Sequence, residues 1–102
     1  MNDLTMERVE SATGVKFQLT GRITTANENY FDKKLSDALE EGFSRIVLNM
    51  REVTLMTSIG IRIILKTYKS CVEAGGKLLI EDPSEVVKNV LGLSALQQMM
   101  VD

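Results

Sequence analysis

With 102 residues, the chain has room for one hydrophobic core and not two. It is 44% apolar and 25% charged with a formal charge of −2, the balance of an ordinary globular domain and not of a disordered tail. Lysine and arginine are outnumbered and scattered, which argues against a nucleic-acid binder, and the longest apolar run, residues 59–65, is broken by Gly60 and Arg62, far short of a membrane span.

The start, Met1-Asn2-Asp3, lacks the apolar stretch of a secretory signal, so a cytoplasmic location is expected. Residues 4–9 alternate weakly, and Val15, Phe17 and Leu19 alternate cleanly with Lys16, Gln18 and Thr20. With the turn residues Ser11-Ala12-Thr13-Gly14 between them, this reads as a β-hairpin with one buried face, ended by Gly21. Thr25-Ala26-Asn27-Glu28 fits a capping box opening a first helix, on which Phe31, Leu35, Ala38 and Leu39 recur at helical spacing and which Gly42 closes. Ile46-Val47-Leu48 is a short continuous apolar run, the pattern of a strand buried on both faces, with helices above and below the sheet.

The second helix is expected from about Ser58 to Ala74, closed by Gly75-Gly76. Ile61, Ile64, Leu65, Tyr68, Cys71 and Val72 form its apolar arc, and Arg62, Lys66, Lys69 and Glu73 its polar one. Residues 77–80 give another short strand, completing a crossover unit. In Asp82-Pro83-Ser84-Glu85, Asp82 is the expected N-cap of a third helix with Pro83 at its first position, Val87, Val90 and Leu91 on its buried side, and Gly92 at its end. Residues 93–98 suit one more turn, and residues 99–101 a last edge strand. The expected architecture is therefore a single α/β domain over 1–102, a mixed sheet of four to five strands with helices packed on it, in the order β-β-α-β-α-β-α-β.

The residues available for chemistry are few. Histidine is absent, which closes Ser-His and Cys-His catalysis, histidine metal sites and a phosphohistidine relay. The single cysteine, Cys71, has no partner for a disulfide or redox pair, and its place on an apolar arc suggests a buried structural thiol. No paired acid and base stand out, so no enzyme, cofactor or metal is expected. Binding sites of α/β sheets gather at the carboxyl ends of the parallel strands, here residues 49–58. Thr57 and Ser58 are hydroxyls at a helix start. They suit an ordinary N-cap, and they equally suit a phosphate stabilised by unpaired amides and the helix dipole. Ile59 and Ile63 fall opposite the expected core arc, near Lys66 and Ser70. They mark either a partner surface beside Ser58 or a first turn covered by the 49–57 loop or a neighbouring helix.

The run Leu48-Asn49-Met50-Arg51-Glu52-Val53-Thr54-Leu55-Met56-Thr57-Ser58-Ile59-Gly60-Ile61-Arg62 resembles the signature region of the anti-sigma factor antagonists, the STAS-domain family. Gly21-Arg22-Ile23, Gly75-Gly76-Lys77-Leu78 and Val90-Leu91-Gly92-Leu93 resemble further family stretches in the same order, so the likeness covers nearly the whole chain. Thr57 stands where many antagonists have aspartate, and Ile59 where a second small residue is common. The family's usual C-terminal helix is expected to be shortened or absent. The resemblance implies that Ser58 is phosphorylated, with Thr57 as second candidate, by a partner that is both anti-sigma factor and serine kinase. It implies that the unphosphorylated domain binds that partner, frees the sigma factor and regulates transcription by partner switching in the bacterial cytoplasm. The expected partner-binding residues are Thr57, Ser58, Ile59, Gly60, Arg62, Ile63 and Lys66, on a monomer or weak dimer. Two other roles known for such domains remain: an accessory subunit of an ABC-type lipid transporter docking on its ATPase, and a ligand-responsive module binding near residues 49–58. No Gly-rich phosphate loop supports the last.

Overall fold

The computed structural model describes residues 3–91 and 100–101. Strands β1 (Leu4–Ser11) and β2 (Gly14–Ile23) form the expected antiparallel hairpin. A one-turn 3-10 segment (Thr25–Asn27) leads into α1 (Glu28–Glu40). Next come β3 (Arg45–Met56), α2 (Ser58–Glu73), β4 (Lys77–Glu81), α3 (Glu85–Leu91) and β5 (Met100–Val101). The five strands lie side by side in chain order, and every pair after the hairpin is parallel. The order β-β-α-β-α-β-α-β holds.

Each crossover β2–α1–β3, β3–α2–β4 and β4–α3–β5 moves one strand in the same direction. Right-handed crossovers then place all three helices on one face. The expectation of helices above and below is thus corrected: Val47, on the open face, is only half-buried, whereas its neighbours Ile46 and Leu48 are fully covered. The covered face carries Met6, Val15, Phe17, Leu19, Leu78 and Ile80, and receives Phe31 and Leu35 of α1, Ile64 and Cys71 of α2, and Val87 of α3. On the open face polar side chains join neighbouring strands. Gln18 Nε2 donates to Asn49 Oδ1 (3.0 Å), Asn49 Nδ2 donates to Glu81 Oε1 (2.7 Å), and Lys16 Nζ pairs with the same Glu81 oxygen at 2.6 Å.

Three boundaries differ from the sequence reading. β2 does not stop at Gly21. It runs on to Ile23, with Gly21 at φ +117° where any Cβ would collide with the Asp3 carbonyl. β3 does not stop after Leu48. Residues 49–56, expected as loop, continue the strand, but its pairing with β2 jumps twice, between Gln18/Thr20 and between Gly21/Arg22. Each jump places an extra residue on β3, which destroys the two-residue alternation that signals a strand. The third helix begins at Glu85, not at Pro83. Asp82 takes a positive φ of 46°, and the cap is Ser84, whose Oγ accepts from Val87 N at 3.3 Å and donates to the Val53 carbonyl at 2.7 Å. Val87 is buried and Val90 packs on the core, as expected, and the short last strand is present at Met100–Val101. The expected Gly92 helix end and the turn over 93–98 lie outside the described residues. No helix among the described residues is long and apolar enough to cross a membrane.

Candidate functional site

β2 and β3 end together, with Ile23 paired to Met56, and α2 starts directly above them. Thr57 is extended (φ −92°, ψ 175°) at the N-cap, but its side chain makes no cap bond. Its amide and its Oγ1 both donate to the Ile23 carbonyl, at 3.1 and 3.3 Å, locking the strand ends to the helix start. The chain turns helical at Ser58, whose side chain is exposed and has no hydrogen-bond partner among the described residues. Neither hydroxyl therefore acts as the ordinary cap. Gly60 allows the close approach: a Cβ there would lie 2.7 Å from Met56 Cγ and 3.0 Å from Ile23 Cγ2.

A second turn is built beside it. The capping box is present one residue earlier than the sequence pattern placed it, with Thr24 as the cap and Asn27 as its reciprocal partner. Ala26 N donates to Thr24 Oγ1 (3.2 Å) and Thr24 N donates to Asn27 Oδ1 (3.1 Å). Asn27 Nδ2 also donates to the Arg22 carbonyl (2.7 Å), with only 5% of the residue exposed. Asn27 thus fixes how β2 turns into α1, next to the carbonyl that holds Thr57. The sequence pattern gives the roles of the box to Thr25 and Glu28 and none to Asn27. The pattern with Glu at the third position favours Thr25, whereas the structure uses Thr24 with Asn27.

From this base α2 runs parallel to α1, tied to it by Arg62–Glu28 (3.2 Å) and Lys66–Asp32 (2.8 Å). The acidic partners were not singled out, because their spacing to the cations exists only after folding. These pairs mark the side of α2 that faces α1, and burial on that side corrects the expected surface patch. Ile63 lies on that side and is 4% exposed; Ile59 is half-buried. The alternative of coverage by the neighbouring helix is the one that holds. Conversely, Leu65 (36% exposed) and Val72 (48% exposed), expected in the core, are at the surface, with Ile61 and Tyr68 half-buried beside them. The buried stripe is Gly60, Ile63, Ile64, Thr67 and Cys71. Thr67 hides its hydroxyl by donating to the Ile63 carbonyl (2.8 Å). Burial pushes the Cys71 thiol up to about 11, which keeps it protonated and unreactive, as a structural thiol should be.

Of the expected partner-binding residues, Ser58, Arg62 and Lys66 reach solvent, Thr57 and Ile59 do so in part, and Gly60 and Ile63 are buried beneath them. Ser58, Arg62, Leu65, Lys69 and Val72 share one outward face of α2, with Ile61 at its edge. A shallow cavity of about 270 Å³, lined by Val9, Ser11, Thr13, Lys16, Arg45 and Val47, sits at the opposite end of the parallel strands, away from Ser58.

The model of the STAS domain matches residues 3–101. The chain belongs to the STAS domain family. Among solved structures this STAS domain is similar to the anti-sigma factor antagonist SpoIIAA in its unphosphorylated form. Identity there is 21% and the TM-score 0.86, over 96% of this chain and 87% of that one. It is similar as well to the Bacillus cell fate determinant SpoIIAA in the phosphorylated form, at 21% identity and a TM-score of 0.78, over 96% and 90% of the two chains. A third neighbour is murine solute carrier 26 family member A9, an anion transporter solved in the inward-facing state. It is 18% identical with a TM-score of 0.70, over 88% of this chain but 15% of the transporter. At these identities the likeness is one of fold.

Proposed function

We propose that this STAS domain is an anti-sigma factor antagonist: a binding module without catalysis of its own, switched by phosphorylation of Ser58, in the bacterial cytoplasm. Unmodified, it sequesters an anti-sigma factor that is also a serine kinase; modified, it releases it. The observation that carries this reading is the Ser58 hydroxyl, exposed and without a hydrogen-bond partner among the described residues, at the first position of α2 on a face that includes the exposed Leu65. A phosphate there adds roughly −1.5 to −2 charge. At the helix N-terminus the domain itself tolerates that charge, whereas an apolar contact made across Leu65 does not. The likeness to a fold solved in both unphosphorylated and phosphorylated forms supports the same reading.

The partner surface proposed is accordingly Ser58, Arg62, Lys66 and the edge of Ile59, extended by Leu65 and not by Ile63. Mass spectrometry after incubation with the cognate serine kinase and ATP should find one phosphate on Ser58 in the parent and none in Ser58→Ala. A label on Thr57 instead, or on neither residue, would refute the site. In a pull-down with the anti-sigma factor, Ser58→Asp should bind far more weakly than Ser58→Ala. Equal affinities would leave Ser58 without a switching role.

A second reading, a STAS domain serving a membrane transporter, is favoured by the likeness to the solute carrier domain. It predicts co-purification with a transport component and no serine kinase.

A further inference from the structure

We propose that Arg62 is the residue that reads a phosphate on Ser58: on modification its guanidinium leaves Glu28 of α1 and clamps the phosphate, so that one event charges the face and cuts one of the two ion pairs joining α1 to α2. The inference rests on Ser58 as the modified hydroxyl. Its physical basis is local to α2.

Ser58 and Arg62 are four residues apart on the same helix, the spacing at which side chains are neighbours on a helix surface. Helical side chains lean toward the N-terminus, so Arg62 projects back over the turn that carries Ser58. At present one guanidinium nitrogen of Arg62 touches one oxygen of Glu28, at 3.2 Å, and 69% of the Arg62 side chain is in solvent. An exposed single-contact pair of that kind is weak and screened. A phosphate dianion offers nearly twice the charge and two oxygens matched to the guanidinium fork, without bridging to another helix. The exchange therefore favours the phosphate.

Lys66 is differently placed. It meets both carboxylate oxygens of Asp32, at 2.8 and 2.9 Å, and lies eight residues beyond Ser58, so it stays on α1 as the remaining tie. Glu28, released, is left as a like charge near the phosphate. The switch is thus a competition between one carboxylate and one phosphate for Arg62, and removing the carboxylate should strengthen the clamp.

The test installs phosphoserine at position 58 by genetic code expansion and follows its second ionisation by ³¹P NMR in the intact domain. Relative to Arg62→Gln, the parent should show that ionisation lowered by about half a unit or more, because a nearby cation favours the dianion. Glu28→Gln should lower it further, and Lys66→Gln should leave it near the parent value. An Arg62→Gln titration coincident with the parent overturns the proposal, as does a Lys66→Gln change larger than that of Arg62→Gln. Because the phosphoserine is installed during translation, neither result depends on a kinase choosing Ser58. A kinase that ignores Ser58 overturns the functional reading and leaves the Arg62 contact standing.

Discussion

The hydroxyls of Thr57 and Ser58 differ because the backbone between them changes from extended to helical. Thr57 still follows the strand, so its Oγ1 meets the Ile23 carbonyl; Ser58 is already on the helix, exposed and without a hydrogen-bond partner among the described residues. The same logic makes Asn27, not a residue of the exposed face, the polar side chain on which local geometry depends most. It donates to the Arg22 carbonyl and accepts from the Thr24 amide while almost wholly buried. Asn27→Asp keeps the acceptor but sets a carboxylate oxygen against the Arg22 carbonyl. We expect it to cost about 1–3 kcal/mol, the range for a buried polar group left unsatisfied. Ser58→Ala should change stability by no more than about 0.5 kcal/mol, as surface changes do. Urea titrations of the two variants check both values; an Asn27→Asp variant as stable as the parent would contradict the role given to this turn.

At the scale of elements, α2 shows why periodicity located the helix but rotated its buried face. The residues against the sheet include Gly60, Thr67 and Cys71, which are small or polar and give little apolar signal. Small residues there let the helix come close to the strands. Leu65 and Val72 carry a stronger signal and lie outward. The helix has apolar residues on three sides, and the side that meets α1 is the one that buries Ile63 and half-buries Ile59, with the ion pairs to Glu28 and Asp32 along its rim. β3 shows a related limit, since two extra residues in its pairing with β2 hide the second half of a twelve-residue strand from any alternation test. By contrast, the hairpin, the start of α2 at Ser58, and β4 were legible because turn residues and apolar runs coincide there. The rotated face has a direct consequence. Ile63→Asp puts a carboxylate into the core and should abolish cooperative folding, or cost more than about 4 kcal/mol. Leu65→Asp should melt within a few degrees of the parent and yet fail to retain the proposed anti-sigma partner in a pull-down, since a charge would enter a desolvated contact. Melts showing Leu65→Asp as damaging as Ile63→Asp would place Leu65 in the core after all.

Across the whole molecule, the one-faced arrangement of helices leaves an open sheet surface whose strands are joined by polar side chains instead of packing. The chain order of the strands was consistent with the expected elements, but the face on which each helix lies follows from crossover handedness and not from any residue pattern. On that surface Glu81 of β4 is held by Lys16 of β2 and Asn49 of β3, and the hydrogen bond from Lys16, then that from Asn49, keep its carboxyl below the usual glutamate range against the smaller opposing effect of burial. A carboxyl whose folded value is depressed binds its proton more readily when unfolded. Its contribution to stability is therefore complete above the ordinary glutamate value, about 4.3, and is lost as the pH falls through the lower folded value. Glu81→Gln lacks this titration. The parent should thus be the more stable of the two at pH 7, and the gap should close as the pH drops from about 5 toward 3. Glu41, lowered chiefly by its hydrogen bond from Arg8, titrates in both proteins and cancels in the comparison. Denaturant melts of both proteins at several pH values would measure the gap directly. A gap that stays constant from neutral to acid pH would mean that the Lys16–Glu81–Asn49 bridge contributes nothing through its charge, and that the open face is held by strand pairing alone.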